Sequence, residues 1–230
     1  MLEMNLIPAL HDGMVSGAFN KCREGELVAQ VIILLAFDKV CNAQGKGIGE
    51  MVPLSLVITE LLPDELNNEE VNEVLNNCIP VQLREASSSC VQFVNLCGQL
   101  ERDEILQLAE RHTGGVLPAG QPGIGLFLPV IYSELTAIVV QVKTCEALHN
   151  SSCPHSAGKS LRPSIAFQDG PLDCALDLKH LDANTVRIYL RLGVVDPISK
   201  NVCKQVAEMK GKRVTYCNFR FKFMGLLHVV

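Results

Sequence analysis

Long apolar runs are missing from this chain. The longest near its start is VIILLAF, residues 31–37, bracketed by Gln30 and Asp38. A membrane-crossing helix needs about 20 apolar residues, so no membrane partner is expected and the run reads as buried helix. The opening residues, MLEMNLIPALHDG, carry acids and no basic stretch, so no secretory signal is expected either. Ten cysteines are present, yet no two form a CxxC pair. Thiols scattered in that way point to reduced, buried cysteines in an intracellular protein of nucleus or cytoplasm, not to a secreted fold held by disulfides. No internal repeat and no clear linker divides the 230 residues. The expectation is one domain over 1–230.

Two partial motifs fail for want of a residue. SAGKS, residues 156–160, invites a phosphate-loop reading. The GxxxxGK[ST] pattern needs a glycine five places before Gly158, where Cys153 stands, and no strand leads into the segment. A nucleotide site is therefore rejected. His149, Cys153 and His155 have the right chemistry for zinc, but a closed structural site needs a fourth ligand. A polar loop is the expectation there.

What is present is globular material, 48% hydrophobic and 20% charged. The net charge of −5 hides an asymmetry. Residues 1–110 hold 17 acids against 6 bases, and residues 111–230 hold 8 acids against 14 bases. If the basic half carries a site, its ligand is anionic; the alternative is uneven solvation of two lobes.

Periodicity predicts a helix over 24–43, with Leu27, Val31, Leu34 and Leu35 on a stripe that Val28, Ile32 and Ala36 widen. A glycine-rich loop follows at 44–50. A short helix is expected over 54–62, then an acidic, Asn-rich segment at 64–77, either a solvated insertion or loosely helical. Residues 90–97 read as a strand. Residues 101–112 read as a helix stopped by Gly114-Gly115. Further strands are expected at 164–168, 185–192 and 213–223, and a helix at 198–209. The order argues for α/β or α+β, a single mixed sheet flanked by helices.

The most informative segment is GIGLFLPVIYSELTAIVVQVK, residues 123–143. Two apolar runs of strand length flank Ser133-Glu134-Leu135. The second, TAIVVQV, is apolar on both faces until its end, which suits a central strand covered on both sides. Gln141 and Lys143 then appear two apart, on one face. Such a pair is either solvated or part of a site. Metal-dependent phosphodiester hydrolysis needs oxygen ligands and a cation near the attacking water, and a strand end supplies both with fixed geometry.

Taken together, GELVAQVIILLAFD, GQPGIGLFLPV and AIVVQVK resemble the restriction-endonuclease-like superfamily, often written PD-(D/E)xK. That core has a helix supplying a Glu, a strand starting near an Asp, and a second strand ending in (D/E/Q)xK. More narrowly, the segments look like a multicopy family of uncharacterised fungal proteins with a pattern near RGELVARLLL…D and PGIDLLIPV…LSAILIQVKN. The matching core spans about 23–145, with 146–230 completing the sheet or forming a small C-terminal lobe. The resemblance implies a nuclease acting on DNA with Mg²⁺ or Mn²⁺. Glu26 matches the helix acid and Gln141 the strand-end site residue, both as metal ligands, and Lys143 matches the lysine that polarises water. Where the pattern has its Asp, this chain has Gly125. Glu134 and Glu146 are the nearby acids that could substitute. Without the resemblance, Glu26 also reads as an N-terminal helix acid favoured by the dipole.

The segment Lys200–Lys222 holds seven bases and one acid, with Tyr216, Phe219, Phe221 and Phe223 interleaved. Lys212, Arg213, Arg220 and Lys222 are candidate phosphate contacts. An ordinary half-buried strand shows the same alternation. The functional expectation is a nuclease-like protein disabled by Gly125. The alternative is a non-catalytic module that binds nucleic acid or a protein, including a mobile-element remnant.

Overall fold

The apolar stretch around VIILLAF lies within a long helix, α1 (Lys21–Ala43). A computed structural model describes residues 21–62, 68–144, 161–192 and 217–220. After α1 come β1 (Val52–Pro53), α2 (Leu54–Leu61), α3 (Asn68–Cys78), a single 3₁₀ turn (Val81–Leu83) and β2 (Ser87–Ser88). Next are β3 (Gln92–Asn95), α4 (Arg102–Glu110), β4 (Thr113–Val116), β5 (Leu126–Tyr132) and β6 (Glu134–Thr144). The described remainder is α5 (Pro163–Asp169), α6 (Leu178–Asn184), β7 (Val186–Leu192) and β8 (Cys217–Arg220). Among the described residues no helix is long and apolar enough to cross a membrane.

The strands make a mixed sheet in the order β3-β4-β5-β6-β7-β8, with β1 and β2 as a separate antiparallel pair. β4, β5 and β6 run antiparallel in succession, while β7 and β8 lie parallel to β6. The fold is thus mixed α/β, as the alternation of patterns predicts. β6 is central, and its two faces feed two cores. Ile138 and Val140 join Leu126, Leu128, Ile188 and Leu190 under α1 and α2. Ala137 and Val139 join Phe127 under α4, α5 and α6, where Ile105, Phe167 and Leu181 are buried. A strand buried on both faces is apolar except where a polar group finds a partner, which is why AIVV shows no alternation and the Thr136 hydroxyl donates to the Asn184 carbonyl at 2.7 Å.

Three expectations change. The buried stripe of α1 is Ala29, Val31, Ile32, Ile33, Ala36, Phe37 and Val40, so Val31, Ile32 and Ala36 are buried as expected, whereas Leu27, Leu34 and Leu35 are only half-buried. A run that is apolar all round has no unique phase, so the partners set its rotation. Residues 164–168 form helix α5, not a strand, begun by Pro163 in its first turn. Of the two readings of the acidic segment the helical one is observed, as α3, with Glu69 and Glu70 in its first turn. Gly114-Gly115 does not stop a helix. α4 ends earlier, and His112 takes a positive φ of 52°. The two glycines lie inside β4, where Phe93 of β3 and Leu96 just after it occupy the space that side chains would need. The expectations at 149–160 and 198–209 lie outside the described residues, as does 213–223 except for β8.

Candidate functional site at the Gln141 end of the sheet

Glu26 sits one turn before Ala29, so it continues the buried stripe of α1 beyond its apolar part. It is half-buried there. The stripe carries it to the sheet end where β5 begins.

Gly125 immediately precedes β5 and is pinned on both sides. Its N–H donates to the Val140 carbonyl at 2.8 Å, and its carbonyl accepts from the Leu117 N–H at 2.9 Å. The loop that delivers it is clamped by Gln121. The Gln121 Oε1 accepts from the Leu172 N–H at 3.0 Å, and its Nε2 donates to the Ala166 carbonyl at 2.5 Å. Gly123 turns the chain with φ of 70°, which glycine adopts without strain. Gly125 has no such need, because its φ is not positive. A Cβ built on it lies 3.2 Å from Glu26 Oε1 and 3.7 Å from Glu26 Cδ. The helix acid thus stands directly against the position that has no side chain.

Gln141 follows Val140, the residue that holds Gly125, and is 9% exposed. Alternation with Ala137 and Val139 places it on the α4–α6 side of the sheet. Lys143 lies two residues on, paired Cα to Cα with Arg191 of β7. Arg220 is paired with Arg191 in turn, on β8. Lys212, Arg213 and Lys222 lie outside the described residues. So does Glu146. Glu134 is at the opposite end of β6, about 23 Å away at the usual rise per strand residue. It is engaged there by His180 Nε2 at 2.7 Å. It cannot replace a carboxylate at position 125.

Sequence reasoning passes over two features here. Gln121 lies in GQPG, which reads only as a turn, so its clamp on α5 carries no local signal. Arg187 occurs in TVRIYLRL, where a cation reads as the exposed face of a strand. It is instead 3% exposed and donates to the Asp182 carbonyl, while the Asp182 carboxylate accepts from the Ser164 hydroxyl. Only the packing of α5 and α6 on the sheet reveals that cluster. Three of the described thiols do not add to the site. Burial pushes Cys41, Cys90 and Cys174 up from their ordinary value, Cys90 to about 12, so they are poor nucleophiles and poor ligands.

Mg²⁺ and Mn²⁺ are held by hard oxygen donors, normally carboxylates with water and phosphate oxygens. Among the described residues no three of His, Cys, Asp and Glu cluster so as to hold a metal ion. Glu26 and the Gln141 amide are the oxygen donors the resemblance supplies, and glycine at 125 adds none. Among the described residues this donor set, with one carboxylate, does not fit a resident divalent metal. Comparison with protein-family models, with curated proteins and with solved structures gives no match.

Proposed function

We propose that this chain is a nuclease-like, nucleic-acid-binding protein whose metal-dependent phosphodiesterase site is incomplete. The observation that carries the reading is the juxtaposition of Glu26 with Gly125. An acid from the helix faces a backbone position of ordinary φ where one more carboxylate would stand 3.2 Å away at its Cβ. The element order supports it as well: a helix bearing Glu26, a strand beginning after Gly125, and a central strand ending in Gln141 and Lys143. Hydrolysis would require a metal to hold and polarise the scissile phosphate, with Lys143 near the water. With the carboxylate missing, binding outlasts cleavage.

The deciding experiment is cleavage of plasmid and single-stranded DNA with Mg²⁺ or Mn²⁺, comparing the native chain with Gly125→Asp and Lys143→Ala. The expected result is cleavage by Gly125→Asp alone. Cleavage by the native chain that Lys143→Ala abolishes would show a live site with a carboxylate from elsewhere. If none of the three cuts DNA, the nuclease-like assignment loses its support and a protein partner becomes the better reading.

A further inference from the structure

Among the described residues β3 is an outer strand of the sheet, with β4 on one side of it. The Val91 N–H, just before β3, donates to the His112 carbonyl at 2.8 Å. Main-chain groups alternate along a strand, so Phe93 and Asn95 also turn theirs toward β4, and Gln92 and Val94 turn theirs outward. The Gln92 carbonyl accepts from the Cys90 thiol at 3.4 Å, and a carbonyl has a second lone pair. This edge is open to solvent. Val91 is 40% exposed and Val94 38%, and Gln92 and Asn95 are exposed beside them.

Open edges normally carry a device against pairing, such as a lysine, a proline or a bulge. β3 lacks all three. No charged residue and no proline occurs from Ala86 to Leu100, and the register with β4 runs without a skip from Gln92 to Asn95. Apolar surface gathers at the same place. Ile48 and Met51 are exposed on either side of Gly49, whose carbonyl accepts from the Ser89 hydroxyl at 2.7 Å and which lies against Val91.

Charge decides what covers this edge. Acids gather at the Asn95 end, where Asn95 and Glu104 line one cavity and Glu101, Asp103 and Glu104 outnumber Arg102. At the Val91 end, Lys46 and Arg111 balance Glu50 and Glu110. A second copy laid antiparallel, about a two-fold axis at Phe93, sets the acidic end of each edge beside the balanced end of the other. Acids then do not face acids, and the uncharged strands meet without like charges at the seam. The same axis makes Gln92 of each copy the partner of Val94 of the other, and such pairs exchange both of their main-chain hydrogen bonds.

We propose that β3 pairs antiparallel with β3 of a second copy of this chain, joining two sheets into one. A pairing this short buries less than a standard interface, so the dimer is weak and reversible, with a Kd of about 1–100 µM. It is independent of what the Gln141 end of the sheet binds.

The test is sedimentation velocity of the full chain under reducing conditions, over a concentration series that brackets that range. The native chain should pass from monomer to dimer. Hydrogen exchange at the Gln92 and Val94 amides should slow over the same series, while Phe93, already turned toward β4, changes little. Val94→Pro removes an outward N–H that β4 does not use, and Val94→Lys puts a cation on each copy at the seam. Each should raise Kd by about tenfold or more, with the melting temperature of the dilute protein held. Ile131→Lys, which charges an exposed apolar residue of β5, should leave Kd unchanged. A native chain that stays monomeric overturns the proposal and leaves the edge to an extended segment of another protein. A dimer that survives both Val94 variants also overturns it, as does one whose Gln92 and Val94 amides do not slow, since another surface then holds the copies together. If a Val94 variant fails to fold, the exchange of the native amides decides.

Discussion

At position 125 a glycine whose φ is not positive leaves the space beside Glu26 without a side chain. Gly125→Ala adds a Cβ 3.2 Å from Glu26 Oε1, closer than ordinary contact, and Glu26 must shift by a few tenths of an ångström. A loss of up to about 1 kcal/mol in urea denaturation is expected. Gly125→Asp adds a second carboxylate beside the first, and like charges at that range disfavour double ionisation. It should cost more than the alanine variant, about 1–2 kcal/mol in metal-free buffer. Millimolar Mn²⁺ should raise its melting temperature while leaving that of Gly125→Ala unmoved. Equal responses of the two variants would show that position 125 does not complete a cation site.

Cys90 offers a second residue-scale test. Burial raises its thiol from 9.0 to about 12, with the Gly114 and Gln92 hydrogen bonds opposing. The folded state therefore keeps a proton that the unfolded state loses above about pH 9. By linkage, stability is fully present below that pH and falls as pH rises from 9 toward 12. Melting temperature should drop steeply over that range in the native chain and less steeply in Cys90→Ala. Identical slopes would place the alkaline loss elsewhere.

At the scale of elements, the loop before β5 matters more than its composition suggests. Gln121 satisfies the Leu172 N–H and the Ala166 carbonyl with one side chain, joining the segment that presents Gly125 to α5. Gln121→Ala leaves those groups without that partner, at a cost of about 1–3 kcal/mol. Hydrogen exchange should quicken at Leu172, in α5, and at Leu117 and Gly125, and change little in α2. α4 shows the opposite case, a device legible in sequence. Glu101 and Glu104 form a capping box, with the Glu104 carboxylate accepting from the Glu101 N–H at 3.1 Å.

Across the whole molecule, the sheet is a shared wall between two cores. Ile33 lies on one side and Phe167 on the other, both buried. Phe167 also meets Phe127 edge to face, with ring centroids 5.9 Å apart. Because β5 and β6 feed both cores, neither side should melt alone. Ile33→Ala, at about 2–5 kcal/mol, and Phe167→Ala, at about 3–5 kcal/mol, should each shift one common transition. A split transition in either variant would show that the two sides unfold separately.

The amino-acid sequence by itself determined what depends on neighbours along the chain. The helix around VIILLAF, the hairpin turning at Ser133 and the central burial of TAIVV follow from runs whose length and polarity leave few alternatives. The candidate site was half legible in the same way, because Gln141 and Lys143 stand two apart on one strand. Only the tertiary structure decided what depends on residues distant in sequence. The face of α1 that is buried was settled by the sheet against which it packs, since its apolar run offers several. Gly114-Gly115 reads as a helix stop until Phe93 and Leu96 are seen to fill the space above it. SIAFQ has the composition of a strand, but Pro163 and the core under α5 make it a helix. Arg187 looks solvent-facing until α6 covers it. The meeting of Glu26 with Gly125, and the alignment of Lys143 with Arg191 and Arg220, are set by packing and strand register. Neither leaves a trace in local pattern, because the partners are tens of residues apart.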